Sequence, residues 1–344
     1  VNIFTDFHHN SLLRSFVLLF EDRLGANVYR PIGMEWFYDG YWAINNQEDT
    51  AKQFLDINTT ILHDNTPLLN KVNNIENDSY YVYDPGYDST HKAITLDVFK
   101  EKKFDFIIAS IPQHVEIYKK LIDKYQPKAK LIIHIGNNWS KPEDGSNVLA
   151  SIKDQGWQGL NVVYYHQEFD MNIFKPIDNV GFNKISSYIN ILQSTHGWDD
   201  FIGLEKILQK DNIQLSSYGG QCRDGNFAGP KDLAKSMQKN DFIFHVKYGG
   251  DGYGHVLYNA YACGKPTIIR SSYYKNSLGE ELFNPNNCID LDTMSIEEAA
   301  LKIKEIILDK AKLQSMSLAA RESFVRCVDF RHDAEKVQKW LTNL

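Results

Sequence analysis

Twice along this chain, short runs of apolar and β-branched residues alternate with polar segments of helical spacing, the pattern that a parallel sheet with crossover helices requires. In the first series the runs are VNIF from Val1, NVYRPIG from Asn27, DFIIAS from Asp105, KLIIHIG from Lys130 and NVVYYH from Asn161. Leu12, Phe16, Leu19 and Phe20 recur at helical spacing until Gly25, and HVEIYKKLIDKYQ from His114 reads as a further helix. In the second series the runs are SYINIL from Ser187, IQLSSYG from Ile213, DFIFHVK from Asp241, PTIIRS from Pro266 and NCIDL from Asn287. The helix SIEEAALKIKEIIL follows, with Ser295 and Glu298 at capping-box spacing. Between the two series the extended, proline-terminated stretch QEFDMNIFKP (Gln167 to Pro176) breaks the alternation, and HDAEKVQKWLTNL closes the chain as a last helix.

A chain of 344 residues exceeds one hydrophobic core of ordinary size. The expected architecture is therefore α/β in two domains, residues 1–170 and 177–330, with residues 331–344 a helix that packs back on the first. At 43% hydrophobic and 24% charged residues the composition is that of a soluble globular protein. A net charge of −7, with acids and bases interspersed, argues against a broad nucleic-acid footprint, which needs a dense basic surface. Cys222, Cys263, Cys288 and Cys327 make no CxxC pair, so neither a zinc site nor a disulfide framework is indicated, and a reducing, cytoplasmic setting fits. The run LLRSFVLLF from Leu12 is interrupted by Arg14 and falls far short of the roughly 20 residues that span a bilayer.

The chemistry concentrates in residues 249–266, GGDGYGHVLYNAYACGKP. DFIFHVK reads as a strand, and HVLYNAYA places Val256, Ala260 and Cys263 on one helical stripe ended by Gly264 and Pro266. The glycine run is then the turn of a βα unit. At the carboxyl edge of a parallel sheet such a turn offers unpaired N–H groups and a partial positive charge to an anion, and glycine admits close backbone approach. The loop suits a phosphate group, with Lys247 at the strand end as counter-charge; it equally suits a tight turn without ligand, since it matches neither GxGxxG at a first strand nor a Walker loop.

The segment DGYGHVLYNAYACGKPTII resembles the signature of the family 4 type retaining glycosyltransferases (glycosyl transferases group 1), in which an acid, a glycine-aromatic-glycine triplet and a second acid precede Ala-Cys-Gly-x-Pro. VVYYHQEFDMNIFKP is similar to that family's interdomain strand and turn, and LLFEDRLGANVYRPIG to its first helix and second strand. The stretch from IDLDTMSIEEAALKIKEIIL onward is similar to its helical tail. The resemblance implies a GT-B fold: two doubly wound Rossmann-like domains facing a central cleft that holds a nucleotide-sugar. It places Asp251 where the family has its first acid, near the donor sugar and phosphates, and Asn259 where it has the second, which binds the ribose. Gly249, Gly250, Gly252, Tyr253, Gly254 and His255 complete the implied nucleotide loop.

The Arg and Lys that the family usually carries after the first strand of the second domain are absent; LQSTHGWDD stands there, with Gln193, Ser194, Thr195 and His196 as hydrogen-bonding groups. Lys247, Arg270, or Arg223 in GGQCRDG from Gly219, could supply the missing charge. In the first domain Ser110 stands at the place of a donor-facing family histidine, with His114 displaced from it. His8 and His9 follow the first strand, and the aromatic stretch GMEWFYDGYW, with Trp36 and Tyr41, suits an acceptor platform or a packed loop. Asp290-Leu291-Asp292 mimics a DxD metal motif, but its position before a capped helix favours a structural turn.

The resemblance thus implies a metal-independent hexosyltransferase without cofactor. It would use a nucleotide-sugar, with a UDP-sugar expected, and transfer with retention to a hydroxyl of a surface or lipid-linked glycan. A hydroxylated base in DNA is the alternative acceptor, and a binding module without turnover the alternative class.

Overall fold

The computed structural model describes residues 1–5, 10–31, 72–76, 79–84, 89–94, 96–110, 114–136, 140–152, 157–178, 181–195, 197–247 and 252–344. The chain forms two compact units. The first comprises Val1–Ser151, Gly156–Phe169 and Phe330–Leu344, and the second Ile152–Gln155 and Asp170–Asp329.

The described strands of the first unit are β1 (Asn2–Thr5), β2 (Asn27–Pro31), β3 (Val72–Glu76), β4 (Ser79–Asp84), β5 (Ser89–Ile94), β6 (Phe106–Ala109), β7 (Lys130–Ile135), β8 (Asn147–Ala150) and β9 (Asn161–Tyr164). They lie in the order β3-β4-β5-β2-β1-β6-β7-β8-β9. From β5 to β9 every neighbouring pair is parallel, while β3–β4 and β4–β5 are antiparallel. That antiparallel edge lies outside the expected alternation, and β8 was not among the expected runs. Helix α1 (Asn10–Phe16) widens into a π-helical stretch, Val17–Arg23, before the chain turns into β2. Helices α2 (Leu96–Glu101) and α3 (Val115–Tyr125) follow β5 and β6. One face of the sheet packs Phe4, Tyr29, Phe99, Phe104 and Tyr118; the other packs Ile3, Phe16, Phe20, Ile132, Leu149 and Tyr165.

In the second unit β10 (Lys184–Ser187), β11 (Gln214–Ser217), β12 (Phe242–Phe244), β13 (Thr267–Ile269) and β14 (Cys288–Asp290) form an all-parallel sheet in the order β11-β10-β12-β13-β14. Its described helices are α4 (Gly197–Leu208), α5 (Pro230–Gln238), α6 (His255–Ala262), the single turn α7 (Ser271–Tyr274), α8 (Ile296–Leu308) and α9 (Lys310–Cys327). Helix α8 starts with the expected capping box: Glu298 N–H donates to Ser295 Oγ at 3.2 Å, and Ser295 N–H to Glu298 Oε2 at 2.8 Å. The first strand lies three residues earlier than SYINIL suggests. Ser186 and Ser187 are buried within it, Ser186 Oγ donating to Asn240 Oδ1 at 2.7 Å, while Ile191 has left the sheet at φ 52°.

Helix α10 (Phe330–Thr342) belongs to the first unit, where Ala334 and Val337 enter the core beside β9 and the π-helical stretch. Among the described residues no helix is long and apolar enough to cross a membrane.

Candidate functional site

In the second unit the chain passes from β10 to β11 on one side, then crosses to β12 on the other. The strand order therefore reverses between β10 and β12, and in an open parallel sheet the crevice at the carboxyl ends of such strands is where ligands bind. Two helix starts converge there. Gly197, the first residue of α4, packs so closely on the end of β12 that a Cβ would lie 2.4 Å from the Val246 carbonyl oxygen. No side chain can occupy that position without moving backbone.

Strand alternation divides the end of β12. Phe242, Phe244 and Val246 enter the core with Phe201 of α4 and Ile303 of α8. His245 takes the opposite phase, toward the start of α6. Lys247 is half-buried, and burial pushes its ammonium down to about 8. Gly254 opens α6 in the left-handed region at φ 71°, with no side-chain cap on the helix. Leu257 N–H returns to Gly254 O at 2.8 Å, and the earlier N–H groups of a helix start have no intrahelical partner. A partial positive charge thus stands at the start of α6.

Asn259 lies one turn into α6, 6% exposed, and its Oδ1 has no hydrogen-bond partner among the described residues. His255 and Gly252 are half-buried. Tyr253 is buried, stacked on Tyr258 at 4.2 Å between centroids and edge-on to His255 at 5.2 Å. The expected apolar stripe through Val256, Ala260 and Cys263 is too narrow: Leu257, Tyr258, Ala260, Tyr261 and Ala262 are all fully buried, so α6 is a helix packed nearly all round.

The polar groups expected around the phosphates divide. Arg223 forks onto Glu205 at 2.8 and 3.0 Å, reaches Asp224 at 3.2 Å and the Leu215 carbonyl at 3.1 Å, and lies over the rings of Trp198 and Phe201. Arg270 forks onto Asp200 at 2.8 Å through two nitrogens and also meets Asp292 at 3.2 Å. Both guanidinium groups are therefore engaged within the protein. The Gln193 amide, in the orientation that satisfies both its ends, donates to Gln221 O at 3.2 Å and accepts from Arg223 N–H at 2.6 Å. It staples the loop after β11, where Gly219 also lies, and Gly220 N–H donates to Asn190 Oδ1 at 2.8 Å. Thr195 Oγ1 turns back to Leu192 O at 2.7 Å. Asp290 and Asp292 accept backbone N–H groups from Ser271 at 3.0 Å and Ser272 at 2.7 Å, the structural turn expected of them.

The first unit has its own reversal, at β1 and β6. Ser110 follows β6 and His114 stands at the N-cap of α3; both are buried, at 4% and 1% exposure. Asp251, Gly249 and Gly250, together with His8, His9, Trp36, Tyr41 and His196, lie outside the described residues.

One residue at the second reversal escaped the sequence reading. His245, 1% exposed, meets the Tyr274 hydroxyl through Nδ1, while its Nε2 has no hydrogen-bond partner among the described residues. Burial first, then the neighbouring Lys247 charge, holds its imidazole well below the usual histidine range and hence neutral. A lone histidine inside FIFHV carries no signal of this kind until the strand and α6 are placed against each other.

No protein-family model matches the sequence, and no curated protein matches it. Solved structures do. A TarM variant of S. aureus, in complex with Fondaparinux, alpha-GlcNAc-glycerol and UDP, is 11% identical over 99% of each chain, with a TM-score of 0.62. HepE of Anabaena, in complex with UDP and glucose, is 12% identical over 100% of this chain and 99% of its own, with a TM-score of 0.60. An alpha-glucosyltransferase in complex with UDP and a DNA containing an HMU base is 11% identical over 99% of each chain, with a TM-score of 0.62. At such identity the likeness establishes the fold, which is the expected GT-B type.

Proposed function

We propose that this chain of GT-B fold is a glycosyltransferase that moves a hexose from a nucleotide-diphosphate sugar, a UDP-sugar above all, to an acceptor hydroxyl with retention at the anomeric carbon. The observation that carries the reading is the coincidence, at one reversal of strand order, of a helix start at Gly254 without a side-chain cap, the partly buried Lys247 and the unsatisfied Asn259 Oδ1. A diphosphate fits the first two, and a ribose hydroxyl pair fits an amide that both donates and accepts. That UDP is present in the solved complexes of three structurally similar proteins supports the same choice of nucleotide.

In the reaction the bond from the anomeric carbon to the phosphate oxygen breaks and a bond to the acceptor oxygen forms on the same face. The acceptor proton passes to the departing phosphate. The N–H groups that begin α6 and the Lys247 ammonium stabilise the charge that grows on that phosphate, a contribution of the electrostatic kind. Asp251 is assigned to the donor sugar, and the first unit, with Ser110 and His114 at its own reversal, to the sugar and acceptor side. A catalytic metal is not part of the proposal.

A surface or lipid-linked glycan is the favoured acceptor, because the net charge of −7 suits a polyanion poorly. A hydroxylated DNA base is the second reading, motivated by the similarity to an enzyme solved with HMU-containing DNA. The decisive assay incubates the chain with UDP-sugars and measures released UDP, alone and with glycan or hydroxymethylated DNA. Release that rises with a glycan supports the first reading; release that rises with DNA and falls steeply with salt supports the second. Tight UDP binding with no release under any condition identifies a binding module instead.

A further inference from the structure

The floor beneath the start of α6 is a histidine, whose Cε1–Nε2 edge faces the Gly254 position. His245 Nε2 lies 3.9 Å, and its Cε1 3.4 Å, from the position a Cβ would take at Gly254. A Cβ there would rest in van der Waals contact on that edge, so the glycine keeps a side chain off it. On the far side of the ring, Nδ1 meets the Tyr274 hydroxyl, which also lies 3.2 Å from the His245 carbonyl oxygen. While the hydroxyl donates to that carbonyl, Nδ1 carries the ring proton; with the hydroxyl turned to Nδ1, the ring carries its proton on Nε2. The helix start and an imidazole able to present Nε2–H then face one place, and the Lys247 charge acts on the same ring.

A purely structural role does not account for this arrangement. Phenylalanine would fill the same volume without leaving a buried polar nitrogen unpaired, which costs stability. Tyr274, 3% exposed and packed edge-on to Tyr273 and against Phe283, holds the hydroxyl in place.

We infer that His245 is a nucleotide-binding residue whose Nε2–H hydrogen-bonds the terminal phosphate of the nucleoside diphosphate, the Tyr274 hydroxyl turning from the His245 carbonyl to donate to Nδ1. The inference rests on the proposed function, since it needs a diphosphate at α6, and it adds a contact that discriminates diphosphate from monophosphate.

Calorimetric titration of UDP, UMP and uridine into the full chain and its variants tests it. His245→Phe and His245→Asn should bind UDP about 10-fold more weakly while UMP and uridine stay within about twofold, as for the loss of one charge-assisted hydrogen bond. His245→Gln, whose amide nitrogen reaches the Nε2 position, should retain UDP affinity to within about threefold, and Tyr274→Phe should lose about threefold for UDP alone. Unchanged UDP binding in His245→Phe, or equal losses for UDP and UMP, overturns the assignment. Should His245→Phe fail to fold, an unaltered UDP-to-UMP ratio in Tyr274→Phe overturns it equally. A wild-type chain that binds none of a panel of nucleoside diphosphates sinks the proposed function instead, and is read before any variant.

Discussion

Lys247 is the residue whose chemistry a bound diphosphate should alter most. Burial lowers its ammonium to about 8, and a phosphate beside it favours the charged form and raises it again. Wherever the free protein has lost that proton and the complex has regained it, binding takes up a proton. Affinity is then full below pH 8 and falls as pH rises through it. UDP should bind about fivefold more weakly at pH 9 than at pH 8, with proton uptake visible as a buffer-dependent enthalpy. Lys247→Met should weaken binding at pH 7 and abolish the slope. A flat wild-type profile from pH 7 to 9 would remove Lys247 from the phosphate site. The sequence made Lys247 legible because a charge stood at the end of an apolar run beside glycines. His245 stood one position before Val246 in the same run and drew no reading of its own. Its meaning depends on Tyr274, twenty-nine residues away and on a different element.

At the scale of elements, βα order was readable where apolar residues and end signals agreed. The helix over residues 255–262 and the Ser295 cap of α8 are where periodicity and capping chemistry put them. Strand β10 was misplaced because half of it is serine, buried by hydrogen bonds that a hydropathy pattern does not see, and the apolar residues after it belong to the loop. The short segment between α6 and β13 carries a testable consequence. Lys265, 2% exposed, lies over the Phe182 ring at 5.5 Å. Burial lowers its ammonium from 10.5 to about 8, with Asp241 and Cys263 pulling the other way. Below pH 8 both folded and unfolded chains are protonated and the fold carries the full desolvation cost. Between about 8 and 10.5 the folded chain releases its proton first, so stability rises with pH. Lys265→Met should therefore stabilise the protein at pH 7 by about 1–2 kcal/mol and flatten that rise, as read from urea midpoints at pH 7 and 9.5. A variant less stable than wild type at pH 7 would show that the contact with Phe182 outweighs the burial cost.

At the scale of the molecule, the last fifteen residues close the core of the unit that begins the chain. Asp333 Oδ2 accepts the backbone N–H of His166 at 2.8 Å and meets His166 Nδ1 at 2.8 Å, while Oδ1 pairs with Lys336 at 2.6 Å. Burial alone would raise this carboxyl, but the His166 and Lys336 contacts hold it below the usual carboxylate range. Trp340 Nε1 donates to Asn161 Oδ1 at 2.9 Å, and Phe330 packs edge-on to Phe169 at 5.5 Å. Because each unit has its own sheet and core, calorimetry should resolve two transitions, and ligand should shift the one that belongs to the second unit. Asp333→Asn should lower only the other transition, by about 1–3 kcal/mol at neutral pH, through the loss of a buried charged acceptor. For a carboxyl lowered in the folded state, stability is present above its unfolded pKa and is lost as pH falls through the folded one. The gap between variant and wild type should accordingly narrow as the scans are moved from pH 7 toward pH 3. A shift in the UDP-responsive transition instead would mean that Asp333 supports the nucleotide-binding unit, and the assignment of α10 to the first core would fall with it.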